Sequence, residues 1–153
     1  MAGGFSININ NIKKFKQFLI NKYNNLSIKN DNFKNLYLDS LILPTALNNE
    51  FYKNIEVLSP FGEGNPEPKF LIEDLKLVNS NIVANKHIKA IFYSKNNTVV
   101  KAIAFNSVGT ILESYLVKNN KNTLNIVGTL ISNYWNGQSN IEFVINDISV
   151  NNI

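Results

Sequence analysis

From Phe70 onward the chain is laid out as five strand-like segments: Phe70 to Val78, His87 to Ser94, Thr98 to Phe105, Thr123 to Asn133 and Asn140 to Val150. Each is rich in Ile, Val, Leu and Phe, and turn chemistry separates them in NSNIVANK, SKNN, KNNKN and WNGQS. A single helical segment, about Val108 to Leu116, lies between the third and fourth. The order β-β-β-α-β-β, within roughly 80 residues, is that of a Greek-key OB-fold barrel. A β-sandwich, which usually needs about seven strands, ranks second.

The text before Phe70 has another texture. Gly4 to Ile9 alternates as a short strand, and Asn10 or Asn11 can cap a helix to about Tyr23 with Ile12, Phe15, Leu19 and Tyr23 inward. Leu36 to Leu43 reads as a strand that Pro44 ends. Thr45 then reads as the N-cap of a second helix through about Leu58, with Leu47, Phe51, Ile55 and Leu58 inward. Between the two textures stands SPFGEGNPEPKF. Its glycines suggest a phosphate loop, but Pro66 and Pro68 remove backbone donors and block a helix directly after them. The stretch reads instead as a stiff joint, in which Gly62 and Gly64 permit turns and Phe61 and Phe70 anchor the ends. The expectation is an α+β chain with an α/β piece at 1–58, the joint at 59–69 and a five-stranded OB barrel at 70–153.

The chemical inventory is narrow. Cysteine is absent and His87 is the one histidine, so Cys-ligated zinc and His-based triads are excluded. The one adjacent acidic pair, Glu73 and Asp74, is expected to point to opposite faces of a strand and so to make a poor metal clamp. Net charge is +4, carried by lysine with no arginine, a mild lean towards anionic partners. No apolar run approaches the roughly 18 residues of a membrane helix, and no secretory signal is present, so a cytoplasmic, membrane-free setting is expected.

OB-folds bind ligands across their second and third strands, between the loop joining strands one and two and the loop joining strands four and five. The first loop here is NSNIVANKHIK, which brings Lys86, His87 and Lys89 forward. The second is NYWNGQSN, with Tyr134, Trp135, Asn136 and Gln138. Lysines that track phosphates and rings that stack bases are what single-strand binding requires. The same loop also reads as an Asn-Gly hairpin whose rings pack on the barrel, and the residues alone leave both readings open.

SPFGEGNPEPKF resembles the P-F-G-x-G-N-P-x-P-x-F signature of the RecJ single-stranded-DNA exonucleases. MAGGFSI resembles the end of their G-G-H-x-x-A-[AG]-G-F segment. KHIKAIFY and AIAFN resemble the second and third strands of their OB-fold, and NYWNGQSNIEFVINDI resembles its N-x-W-x-G-x-x-x-x-[QE]-x-x-x-x-D-I ending. The resemblance runs from Ala2 to about Ser149. It implies a 5′-to-3′ exonuclease of recombination and repair that uses Mg²⁺ or Mn²⁺, built from a DHH core, a DHHA1 domain and an OB-fold. The DHH metal-binding motifs have no counterpart here, and the G-G-H would precede Met1. The resemblance therefore implies the end of DHHA1 plus the OB-fold, either as a C-terminal fragment or as one half of a split gene. No catalytic residue, metal ligand or cofactor is expected in this chain. The expected partners are single-stranded DNA and the DHH catalytic portion. The alternative is a protein-docking module for a separately encoded catalytic half.

Overall fold

The computed structural model describes Gly4 and residues 6–27, 35–117, 123–135 and 137–151. Contacts divide the chain into two compact units, Met1–Leu36 and Tyr37–Ile153.

In the first unit a 3-10 turn, Ile9–Asn11, leads into helix α1, Ile12–Ser27. The cap is Asn8, whose side chain accepts from the Asn10 amide at 3.0 Å, rather than Asn10 or Asn11. No strand forms among the described residues of 4–9. Of the four helix positions expected to be inward, Phe15 is half-buried, while Ile12, Leu19 and Tyr23 are exposed.

The second unit opens with β1, only Ser40–Leu41, parallel to the start of β2, Phe70–Val83. Asp39 ties the two together. Its amide donates to Lys69 O at 2.9 Å, and its carboxylate accepts from the Lys69 amide at 2.8 Å. Pro44–Ala46 forms a 3-10 turn, so Thr45 is not the cap. Helix α2, Asn49–Glu56, is capped by Asn48, whose side chain accepts from the Phe51 amide at 2.9 Å. Ile55 is buried in the barrel core, Leu47 and Phe51 pack on it, and Phe51 meets Phe70 ring to ring at 5.6 Å. Leu58, also expected inward, is exposed.

Residues 37–58 thus belong with the barrel, and the expected boundary at 58/59 moves to 36/37. The reason is burial: Ile42 and Ile55 are buried in the same hydrophobic cluster as the inward side chains of the barrel. SPFGEGNPEPKF is accordingly a tight connection inside one unit. Gly62 and Asn65 exchange backbone hydrogen bonds, and the Asn65 amide donates to Leu58 O at 2.7 Å and Pro60 O at 3.1 Å. Neither glycine needs a left-handed backbone, and a Cβ on either would meet nothing within 4 Å. The asparagine, not the glycines, organises this turn.

The barrel closes in the order β2-β3-β4-β6-β5-β2, with β3 His87–Tyr93, β4 Val99–Ala104, β5 Leu124–Trp135 and β6 Gln138–Val150. This is the five-stranded OB topology. Helix α3, Ile111–Leu116, sits between β4 and β5 and inserts Leu116, which is fully buried. It begins three residues later than expected because Gly109 is left-handed and Thr110 caps the helix. Strict alternation holds in β3, where Ile88, Ala90 and Phe92 point inward. In β2 and β6 bulges change its phase. Pairing advances from Ile72↔Ile126 to Leu75↔Leu124, so β2 carries an extra residue beside Asp74. A second register shift lies between Leu77 and Asn79. These bulges let one long strand pair first with β5 and then with β3. In β6 the step from Ile145 to Asp147 switches the inward set from Phe143 and Ile145 to Ile148.

Candidate nucleic-acid interface

The outer faces of β3 and β4 carry Lys89, Ile91 and Tyr93 beside Val99 and Lys101, with Ile91 paired to Lys101 and Tyr93 to Val99. At its β6 side this surface dips into a cleft of about 420 Å³ lined by Lys89, Lys101, Asn133, Tyr134, Asn140 and Glu142. Tyr134 is 76% exposed there, a ring held at a strand end with its face open to solvent. Among the described lining residues Glu142 is the one carboxylate. It accepts from Asn133 Nδ2 at 2.8 Å and lies 4.0 Å from the Lys89 ammonium. Lys101 has no ion-pair partner among the described residues. The described lining is therefore cationic and aromatic, with the Glu142 carboxylate already engaged.

The sequence-predicted residues fare unequally. Lys89 and Tyr134 converge on this cleft. Lys86 and His87 do not line it, because the expected first loop is mostly strand: Asn79–Val83 pairs with His87–Ile91, and only Ala84–Lys86 turns. His87 faces the other end of β3, where its Nδ1 accepts from the Asn106 amide at 2.9 Å and its ring meets Phe105 edge-on at 5.2 Å. The second loop is a hairpin in which Trp135 pairs with Gln138 and Gly137 takes φ 77°. Asn136 and the side chains of Trp135 and Gln138 lie outside the described residues. Lys101, Asn133 and Asn140 were missed. For Lys101 the signal was present in VVKAIA, where its apolar neighbours Val100 and Ala102 point inward and push it outward on the barrel's third strand.

Glu73 and Asp74 also differ from expectation. The bulge beside Asp74, which takes φ 58°, lets both line one cleft on another side of the barrel. Asp74 is fully engaged there by Lys95 at 2.7 Å and by Asn151, and its amide donates to Asn125 Oδ1 at 3.0 Å. The Lys95 hydrogen bond, then that of Asn151, holds its carboxyl below the ordinary value of 3.8. Among the described residues no group of three or more His, Asp or Glu side chains is placed to hold a metal ion. The described residues therefore do not fit the Mg²⁺ or Mn²⁺ that the resemblance attaches to the full-length enzyme. No helix of the described residues is long and apolar enough to cross a membrane.

Five strands closed in this order, with a basic and aromatic outer face on the second and third, define an OB-fold domain. The chain belongs to the RecJ OB domain family, whose model matches residues 38–147. That match also starts ahead of β2, in agreement with the boundary seen in the contacts. Among solved structures, RecJ of Thermus thermophilus in complex with Mg²⁺ is similar at 22% identity and a TM-score of 0.62. That comparison covers 95% of this chain and 21% of the other. The Mn²⁺ complex of the same protein gives 21% identity and a TM-score of 0.60, covering 98% and 21%. This chain thus spans about a fifth of the RecJ chains that it matches. No curated protein matches.

Proposed function

We propose that this chain is the single-stranded-DNA-binding C-terminal portion of a RecJ-like 5′-to-3′ exonuclease acting in recombination and repair, and that residues 1–36 are the tail of a DHHA1 domain. The observation that carries the reading is the joint lining of one cleft by Lys89, Lys101 and exposed Tyr134 beside the β3–β4 face. The lysines attract the phosphodiester backbone, and the rings of Tyr134 and Tyr93 offer faces for bases without selecting among them. In this reading the metal-assisted hydrolysis belongs to a DHH portion outside the chain, since that chemistry needs clustered carboxylates and histidines.

Two measurements test it. Titration of a fluorescent oligothymidylate at low and high salt should give binding that weakens steeply as salt rises. Incubation of 5′-labelled single-stranded DNA with the purified chain and Mn²⁺ should release no nucleotide, and release would overturn the non-catalytic assignment. A second reading, docking on a separately encoded catalytic half, draws on helix α1, which exposes Ile12, Phe18, Leu19 and Ile20. Failure to bind any oligonucleotide at low salt, with the fold intact, would favour it.

A further inference from the structure

A second cleft continues the cationic one, and we infer that it is a nucleotide subsite added to the single-strand path by helix α2. The inference rests on the single-stranded-DNA reading above. This cleft, about 300 Å³, lies between the start of α2 and the β5–β6 hairpin, with Leu47, Asn49, Lys101, Ser139, Asn140 and Ile141 in its wall. It shares Lys101 and Asn140 with the cleft that holds Lys89 and Tyr134. Beyond Asn49 and Ser139 a smaller depression of about 220 Å³ continues along α2 past Tyr52 and Lys53. The three form one track, with Lys89 and Lys101 in the first stage, Lys101 again in the second, and Lys53 beside the Glu56 carboxylate in the third.

The chemistry of the middle cleft fits a nucleotide. No carboxylate is among its described lining residues. Lys101 lacks an anionic partner and the Asn140 side chain makes no hydrogen bond among the described residues. Asn49 spends its carbonyl oxygen on the Ser139 hydroxyl at 3.0 Å, which leaves its amide donors open. An unpaired ammonium next to open amide donors suits a phosphodiester, and the apolar walls from Leu47 and Ile141 suit the flat face of a base. Because a carboxamide both donates and accepts, such a site tolerates any base edge. The barrel strands alone could not form it, since one wall is the segment that precedes β2.

The test uses the full chain, its Asn49→Asp variant, and labelled oligothymidylates of about three nucleotides, too short to fill both clefts, and of about eight, within the roughly 4–16 that single OB-folds cover. Asn49→Asp keeps the side-chain shape and the acceptor for Ser139, and a carboxylate at a helix N-terminus favours the helix, so the fold is preserved. The wild type should bind the longer oligonucleotide more tightly. The variant should weaken that binding about fivefold, the factor for two like charges about 4 Å apart in water, and leave the shorter unchanged. Equal affinity of variant and wild type for the longer strand, or equal loss on both lengths, would overturn the subsite and leave the β3–β4 reading standing. Preference of the wild type for an oligoglutamate peptide over oligothymidylate would overturn both.

Discussion

A single methyl group at Gly128 should damage this barrel more than any change to the glycines of SPFGEGNPEPKF. A Cβ built on Gly128 would lie 1.8 Å from Val144 O, 2.8 Å from Val144 C and 2.9 Å from Phe143 Cε1. Comfortable contact needs about 3.5 Å, so β6 would have to retreat by roughly 1.5 Å or more. It cannot do so freely, because Val144 is laddered to Thr129 on one side and to Ile103 of β4 on the other. Overpacking of this kind costs about 1–3 kcal/mol, and a backbone obstacle places Gly128→Ala near the top of that range. Restricting the unfolded chain returns about 0.4–1 kcal/mol, because the Gly128 backbone is not left-handed, so the net loss is about 2–3 kcal/mol. With a urea slope of about 1–3 kcal/mol per M, the midpoint followed by far-ultraviolet circular dichroism should fall by about 0.7–3 M. Gly62→Ala and Gly64→Ala, which meet nothing within 4 Å, should leave the midpoint unchanged or raise it. An unchanged or higher midpoint for Gly128→Ala would refute the reasoning.

Other changes probe the core, the face and the acid response. Phe143→Ala empties a fully buried position between β4 and β5 and should cost about 3–5 kcal/mol in the same urea titration. Lys101→Gln should lower the magnitude of the salt slope of single-strand binding by about 0.7. Lys89→Gln should lower it less, because Lys89 already lies 4.0 Å from Glu142. Tyr134→Ala should weaken binding by about 1–3 kcal/mol with little change in that slope, as loss of a stacking surface requires. Asp74 has its carboxyl lowered by Lys95 and Asn151, so its stabilising contribution is present above the unfolded value near 3.8 and is lost as pH falls through the lower folded value. Thermal melts from neutral pH down to about pH 2 should therefore show a shallower acid limb for Asp74→Asn than for the wild type. Parallel limbs would contradict this account.

The strands were legible because their periodicity is local. HIKAIFY and VVKAIA announce which side chains face inward, and Asn136-Gly137 announces a two-residue turn. Alternation failed where bulges intervene. The extra residue beside Asp74 shifts the inward set from Phe70 and Ile72 to Leu75, and it brings Glu73 and Asp74 to one cleft against the rule. The site was legible only in part because its residues meet through the closed barrel rather than along the chain. Lys89 and Tyr134 are distant in sequence and adjacent in the barrel, whereas His87, two residues from Lys89, is diverted by Phe105 and Asn106.

The sequence by itself determined the number and order of the barrel strands, the place of the helix between the third and fourth, and the lack of any thiol or paired-histidine chemistry. These depend on residue inventory and on periods of a few residues, which no packing can change. Only the tertiary structure decided that residues 37–58 belong to the barrel, that SPFGEGNPEPKF turns within one unit, and that Lys101 joins Lys89 and Tyr134. Each of those is a question of which surface covers which, and the answer is set by burial of Ile42 and Ile55 and by ladder register, quantities with no value until distant segments meet.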